Sequence, residues 1–337
     1  MLAWSEEEVP RDVLDARLAR CRAAMADAGL DALLVYTNFP RPSAVSWLTH
    51  FVPYWSQGVL TILPEGDPVF TVSLSKRVGN WIEETSCVGE IVCTPNIGRA
   101  LGEQLTRAGA MKRVGAVELA KLPGDIVVNL KSVADGVALT DATGLFASVR
   151  NPADAAEIAL TVRAAQIARD ALALAAPKGA PVDASILSDI ERAARMQGCE
   201  EILIDIAEDL SADSRFRRLD GPSVFANRYA VRVSVAYKCH WVRIGRSFEQ
   251  DGDGRSDAVE SRLADPAFLM SGESPDGFEP VDSVVEGCVG TAPLSVLEAP
   301  SPGSIVSVTR RWRDSGGYWL VSDPLLLGAA GDPNRRL

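Results

Sequence analysis

ANRYAVRVSVAYKCHWVRIGRSF, Ala226 to Phe248, is the stretch on which the reading of the whole chain turns. Val231, Val233 and Val235 alternate with Arg232, Ser234 and Ala236, and after Tyr237-Lys238 a second alternation sets Val242 and Ile244 against Arg243 and Gly245. Period-two alternation of β-branched residues on both sides of a break predicts a β-hairpin. With the turn centred between Tyr237 and Lys238, Arg232 and Arg243 become direct cross-strand neighbours, their Cβ atoms about 4.5–5.5 Å apart. Like charges in that position repel unless something negative lies between them. The pair is therefore either an anion site or part of an internal salt-bridge network with acids such as Asp205, Asp209, Glu298 or Asp323.

Upstream of the hairpin, Leu14, Leu18, Cys21 and Met25 recur at helical spacing and Gly29 stands at a C-cap position. Ala32 to Tyr36 reads as a buried strand. Gly58 to Leu63 and Pro68 to Val72 flank Pro64-Glu65-Gly66 as a hairpin. Strands at Glu90 to Cys93, Arg113 to Val117 and Val137 to Leu139 then alternate with helices at about Gly98 to Ala108 and from Pro123, which predicts a mixed or parallel sheet covered by helices. Asp141 to Arg150 reads as a boundary, giving domains 1–148 and 149–337. Beyond it Asn151 is an N-cap candidate, Pro152 a first helical position and Asp154 a first-turn acid. Ile158, Val162, Ala165 and Leu172 mark the buried stripe of one helix, Val182 to Gln197 is a second, and Ile202 to Ala207 is a strand leading to the hairpin. Gln250 to Gly277, rich in Gly, Asp and Ser, reads as surface or linker with at most a short helix near Ser256 to Ala264.

The hairpin aligns without a gap on the central hairpin of the creatinase, aminopeptidase P and prolidase family, the pita-bread fold. Tyr237-Lys238, Ile244, Arg246 and Phe248 keep the frame of its motif. Pro302 to Thr309 (PGSIVSVT) resembles that family's P-G-x-V-F-T-V-E, and Tyr318 to Leu327 (YWLVSDPLLL) is similar to its G-x-R-I-E-D-T-V-L-V. The helix ending in GLDALLV and the later WLTHF resemble the amino-terminal domain of the same family. The resemblance implies an α/β (α+β) fold, a creatinase-type amino-terminal domain followed by a shortened pita-bread domain. It also implies where a metal pair would sit. Arg232 and Arg243 occupy the two aspartate positions, Thr309 and Ser322 the two glutamate positions, and no histidine follows His240. Asp323, the second acid of the closing motif, is kept. A family-type metal site is not expected, nor any other cofactor.

The chain has 337 residues, 23% charged and 47% hydrophobic, the balance of a globular protein with room for two ordinary domains. Its formal net charge of −11, with 34 basic residues spread along the chain, argues against nucleic acid and anionic membrane as partners. No apolar run reaches the roughly 18–20 residues that span a bilayer. The start, MLAWSEEEVPRD, has no basic or apolar signal region, so a cytoplasmic location is expected. The six cysteines form no C-x-x-C pair and read as reduced thiols. His50 stands alone and reads as a structural or surface residue.

The residues leave several functional expectations open. One is a non-catalytic binding or partner subunit without Xaa-Pro peptidase activity, with Arg232, Arg243, Thr309, Ser322 and Asp323 recognising a small anion or carboxylate, in a homodimer or a heterodimer with an active paralogue. Another is a metal-independent, creatinase-like hydrolase of a C–N bond in a small carboxylate, with His240 as acid and base. A lyase using Tyr237, Lys238 or Cys239 is a third.

Overall fold

The computed structural model describes residues 3–39, 42–52, 56–109, 112–179, 181–219, 221–251, 265–271, 273–274, 276–287, 295–296, 300–329 and 332–337. The chain divides into two compact units, the first Met1–Pro152 and the second beginning at Ala153.

In the first unit, helix α1 (Arg11–Asp27) buries Leu14, Cys21 and Met25 and ends where Gly29 takes a left-handed φ of 62°. Leu30 N–H bonds back to the Met25 carbonyl at 2.8 Å, closing the helix as a glycine C-cap does. Six strands follow in the order β4-β3-β2-β1-β5-β6: β1 (Ala32–Thr37), β2 (Gly58–Ile62), β3 (Val69–Val72), β4 (Glu90–Cys93), β5 (Arg113–Val117) and β6 (Ala138–Asp141). The β1–β2 and β2–β3 pairs are antiparallel and the others parallel, the mixed sheet that the alternation predicts. Helices α2 (Ser43–Thr49), α3 (Lys76–Thr85), α4 (Ile97–Arg107) and α5 (Gly124–Val133) complete two apolar layers, one on each side of β1. His50 closes α2 in a left-handed conformation and is buried.

The stretch read as the boundary, Asp141 to Arg150, is mostly helix α6 (Thr143–Arg150), whose Phe146 and Val149 pack into the first core, and the two units divide just after it. The next helix, α7 (Ala155–Leu172), is capped by Asp154, whose carboxylate accepts from Glu157 N–H at 2.9 Å, and not by Asn151. Its buried face keeps Ala165 and Leu172 of the expected stripe but is turned away from Val162. Leu160, Ala164, Ala165, Ile167, Ala168 and Ala171 point inward while Val162 is exposed. The contact face mixes alanines with Leu160, Ile167 and Leu172. Helix α8 (Ile186–Met196) begins later than expected, since Val182 N–H bonds to Gln250 and Asp183 bridges to Val224 before the helix can start.

The second unit is built on an antiparallel sheet in the order β11-β10-β12-β13-β9-β8-β7, with β14 (Arg335–Arg336) paired to β13. Its strands are β7 (Glu201–Ala207), β8 (Arg228–Tyr237), β9 (His240–Glu249), β10 (Glu279–Gly287), β11 (Ser295–Val296), β12 (Ile305–Asp314) and β13 (Gly317–Leu326). The β9–β13 pairing that joins the two halves is short, Gly245 with Ser322 and Arg246 with Val321. Helices α7 and α8 cover Val231, Val233, Val235, Val242 and Ile244 on one face. Further along that face Leu269, from helix α9 (Pro266–Ser271), joins Val306, Val308, Trp312, Trp319 and Val321. The expected helix at Ser256 to Ala264 lies outside the described residues. Among the described residues, no helix is long and apolar enough to cross a membrane.

The hairpin register differs from the expected one. Tyr237 pairs with His240, so the turn residues are Lys238 and Cys239, both at positive φ (48° and 63°). Two consecutive left-handed residues form the tight turn whose twist suits a two-residue hairpin loop. The half-buried Glu200 carboxylate holds it, accepting from Lys238 N–H at 2.5 Å and also from Cys239 N–H. Arg232 therefore faces Gly245, and Arg243 faces Ser234. The two arginines share a face but are diagonal, not directly opposed.

Candidate functional site

The face turned away from α7 and α8 carries the residues of interest. Following the pairings across the sheet, one row runs Asp205, Arg232, Gly245, Ser322, Thr309, Val284. On the same face, Ser234 and Arg243 pair with each other, as do Ser307 and Glu286. At Gly245 the neighbouring side chains close in: a Cβ there would lie 3.3 Å from Ser322 Cβ, 3.4 Å from Leu320 Cδ1 and 3.5 Å from Arg232 Cβ.

Each arginine already has an acid. Arg232 donates from Nε and Nη2 to a single Asp205 oxygen, at 3.2 and 2.8 Å. The Phe216 ring lies over its guanidinium, 4.2 Å from Cζ to the ring centre. Burial, and then the neighbouring Arg243, pull the Arg232 pKa below its ordinary value, while Asp205 and Glu286 act in the opposite direction. Arg243 donates through Nη1 to Glu286 and through Nε to Ser234 Oγ at 2.9 Å. This second pair is the deeper one, its side chains 11% and 8% exposed against 21% and 18% for Arg232 and Asp205. A third pair, Arg311 with Asp282, lies further along the face, and Arg311 also donates to Ser214.

Thr309 and Ser322 are directly paired and buried, with 2.7 Å between their hydroxyl oxygens. Asp323, next to Ser322 on an alternating strand, points to the opposite face. There it is fully buried, accepts from Arg246 at 2.8 Å and from Arg336 at 3.0 Å, and has Arg169 at 3.9 Å. It is thus separated from Arg232, Arg243, Thr309 and Ser322, with which it had been grouped. His240 also alternates away from Arg243; it is buried beside the turn, with Nδ1 2.8 Å from the Lys238 carbonyl.

Of the acids considered as partners, Asp205 pairs with Arg232, and Asp323 pairs with other arginines. Asp209 accepts from Ser211 in a local turn. Glu298 lies outside the described residues. Glu286 was missed. Its signal was available in Val284, Glu286 and the strand-like EPVDSVVEG run, which places an acid on the same face as the arginines.

These residues do not fit a divalent metal. Among the described residues no group of three or more His, Cys, Asp or Glu side chains is placed to hold one. A divalent ion about 5 Å from one guanidinium would be repelled by roughly 7 kcal/mol at an effective dielectric of about 20. The two acids that could offset this are already bound to arginine.

The architecture, an α/β unit with a mixed sheet followed by an antiparallel sheet backed by helices, is that of the pita-bread proteins. Residues 17–151 match the family model described as the Creatinase/Prolidase N-terminal domain. Solved structures with the same fold include a prolidase from Pyrococcus horikoshii, 14% identical with a TM-score of 0.69 over 95% of this chain and 97% of that one. An Xaa-Pro dipeptidase from Bacillus anthracis is 17% identical, with a TM-score of 0.67 over 96% and 97%. An X-Pro aminopeptidase from Thermotoga maritima is 13% identical, with a TM-score of 0.69 over 93% and 97%. No curated protein matches the chain. Residues 17–151 are thus similar to the creatinase/prolidase amino-terminal domain, and the chain shares the fold of these structures, the second unit with the pita-bread architecture.

Proposed function

We propose that this chain is a metal-free pita-bread protein without Xaa-Pro peptidase activity, a non-catalytic binding or partner subunit that recognises a small anion or carboxylate. The observation that carries the metal-free, non-peptidase part of this reading is the pairing of Arg232 with Asp205 and of Arg243 with Glu286 on the face where the resemblance places a metal pair. Hydrolysis by a dinuclear site requires several carboxylates to bridge the ions and balance their charge. Here guanidinium groups and hydroxyls stand in those positions, and the remaining acids neutralise the guanidiniums. The burial of His240 on the helix-covered side weighs against the creatinase-like alternative. A homodimer, or a heterodimer with an active paralogue, is part of the proposal.

The test combines metal analysis with activity. Protein purified without chelator is expected to hold well under one Mn, Co, Fe or Zn per chain and to leave Xaa-Pro dipeptides intact when these ions are added. Metal-dependent turnover that disappears on substitution around Arg232 would refute the reading. Light scattering and pull-downs from the native host check the assembly, and a strict monomer with no partner removes that part.

A further inference from the structure

We propose that Arg232 is the docking point for one planar carboxylate group, taken end-on by the guanidinium edge that Asp205 leaves open. This rests on the binding-subunit reading above and names the ligand class for it. Both bonds from Arg232 to Asp205 go from Nε and Nη2 to one oxygen, so the acid occupies the side edge alone. No described residue accepts from Nη1, which leaves Nη1 and the outer N–H of Nη2 as an unengaged fork. Two parallel N–H donors match the two coplanar oxygens of a carboxylate.

The fork is also held still. Phe216 lies over the guanidinium face, and its own segment is fixed on both sides. Ser214 accepts from Arg311, while Arg217 and Ile206 exchange backbone hydrogen bonds at 2.8 and 2.9 Å. A guanidinium with one edge on an acid and one face on a ring has lost most of its rotamer freedom before a ligand arrives, which favours binding. Access differs between the two arginines. Arg232 keeps 21% of its side chain exposed, whereas Arg243 is 11% exposed and has both Nε and Nη1 engaged. Arg243 thus supplies positive charge from the diagonal position on the same face, and Arg232 makes the contact.

The flanking acids set the charge of the ligand. Asp205 and Glu286 both act electrostatically on Arg232, so a second negative charge on the ligand meets repulsion from two sides. A monocarboxylate is favoured over a tetrahedral dianion such as phosphate.

The experiment titrates the full chain with acetate and, separately, with inorganic phosphate at pH 8 and matched ionic strength. It follows calorimetric heat and the Nε–H resonances of the arginines. Acetate is expected to saturate with a dissociation constant on the order of millimolar and to move one arginine resonance, with phosphate at least about tenfold weaker. Arg232→Gln should weaken acetate by about tenfold or more, and Asp205→Asn should tighten it severalfold by removing the nearest repelling charge. No saturable acetate binding, phosphate equal to acetate, or affinity unchanged in Arg232→Gln overturns the proposal. Should that variant not fold, a failure of Asp205→Asn to tighten acetate does the same. Metal-dependent peptidase activity would instead strike the reading beneath it, so the two failures are distinguishable.

Discussion

Replacing Arg243 by methionine tests whether the arginines are neutralised from within. Arg243 reaches from β9 to Glu286 on β10, across the junction of the two halves of the sheet. Its removal leaves the Glu286 carboxylate in a site where the residue is 6% exposed and its Oε2 already lacks a hydrogen-bond partner among the described residues. A buried ion pair broken on one side costs about 3–5 kcal/mol, because the surviving charge stays desolvated and unmatched. Removing both charges, as in Arg243→Met with Glu286→Leu, exchanges a desolvated pair for apolar contact and should return stability to within about 1 kcal/mol of the parent, or above it. Urea unfolding gives the free energies, and hydrogen exchange of β9 and β10 amides confirms that the loss lies in this sheet. The reasoning is refuted if the single substitution costs less than about 1 kcal/mol, or if the double variant is as unstable as the single one.

Burial raises the pKa of Glu200 above its ordinary value, and the N–H groups of Cys239 and Lys238 offset only part of that rise. A group with a raised folded-state pKa contributes stability that is fully present below its unfolded value, about 4.3, and lost as pH rises through the folded value. Thermal unfolding across that range should show the parent losing ground to Glu200→Gln as pH increases, and a gap independent of pH would contradict the assignment. Burial also pushes the Cys21 thiol up to about 12 and the Cys199 thiol up to about 11. Both should resist thiol reagents at pH 8 until urea unfolds the chain, whereas fast labelling of either in native buffer would show the burial to be wrong.

Alternation made much of the fold legible. Val231, Val233, Val235, Val242 and Ile244 announce two strands with one covered face, and the strand at Arg113–Val117 keeps the limits read from sequence. The hairpin register was not legible. It depends on two non-glycine residues accepting positive φ and on a carboxylate at Glu200, remote in sequence, that bonds their amides. The two-residue shift keeps Arg232 and Arg243 on the expected face, since side chains alternate with a period of two, but it moves them from opposed to diagonal. The inward face of α7 was legible in part: Ala165 and Leu172 are buried as read, whereas Val162 is exposed and Leu160, Ala164, Ile167 and Ala168 face the sheet. Asp205 could be named as a partner because its strand leads into the hairpin. Glu286 arrives from β10 across intervening strands, a proximity that local pattern does not carry.

The grip of Glu200 on the Lys238–Cys239 turn separates what aligns the hairpin from what its open face displays. At the other end Arg228 ties β8 to β9 through Glu249 at 2.7 Å, and on the covered side Arg246 bonds the Ser322 carbonyl at 2.9 Å and the Asp323 carboxylate at 2.8 Å. None of these contacts uses the side chain of residue 232, 243, 309 or 322. Provided that an internal partner such as Asp205 or Glu286 changes with them, those four side chains can be exchanged for others of different charge while the strands keep their alignment, so the scaffold tolerates a new chemistry there without having to fold anew.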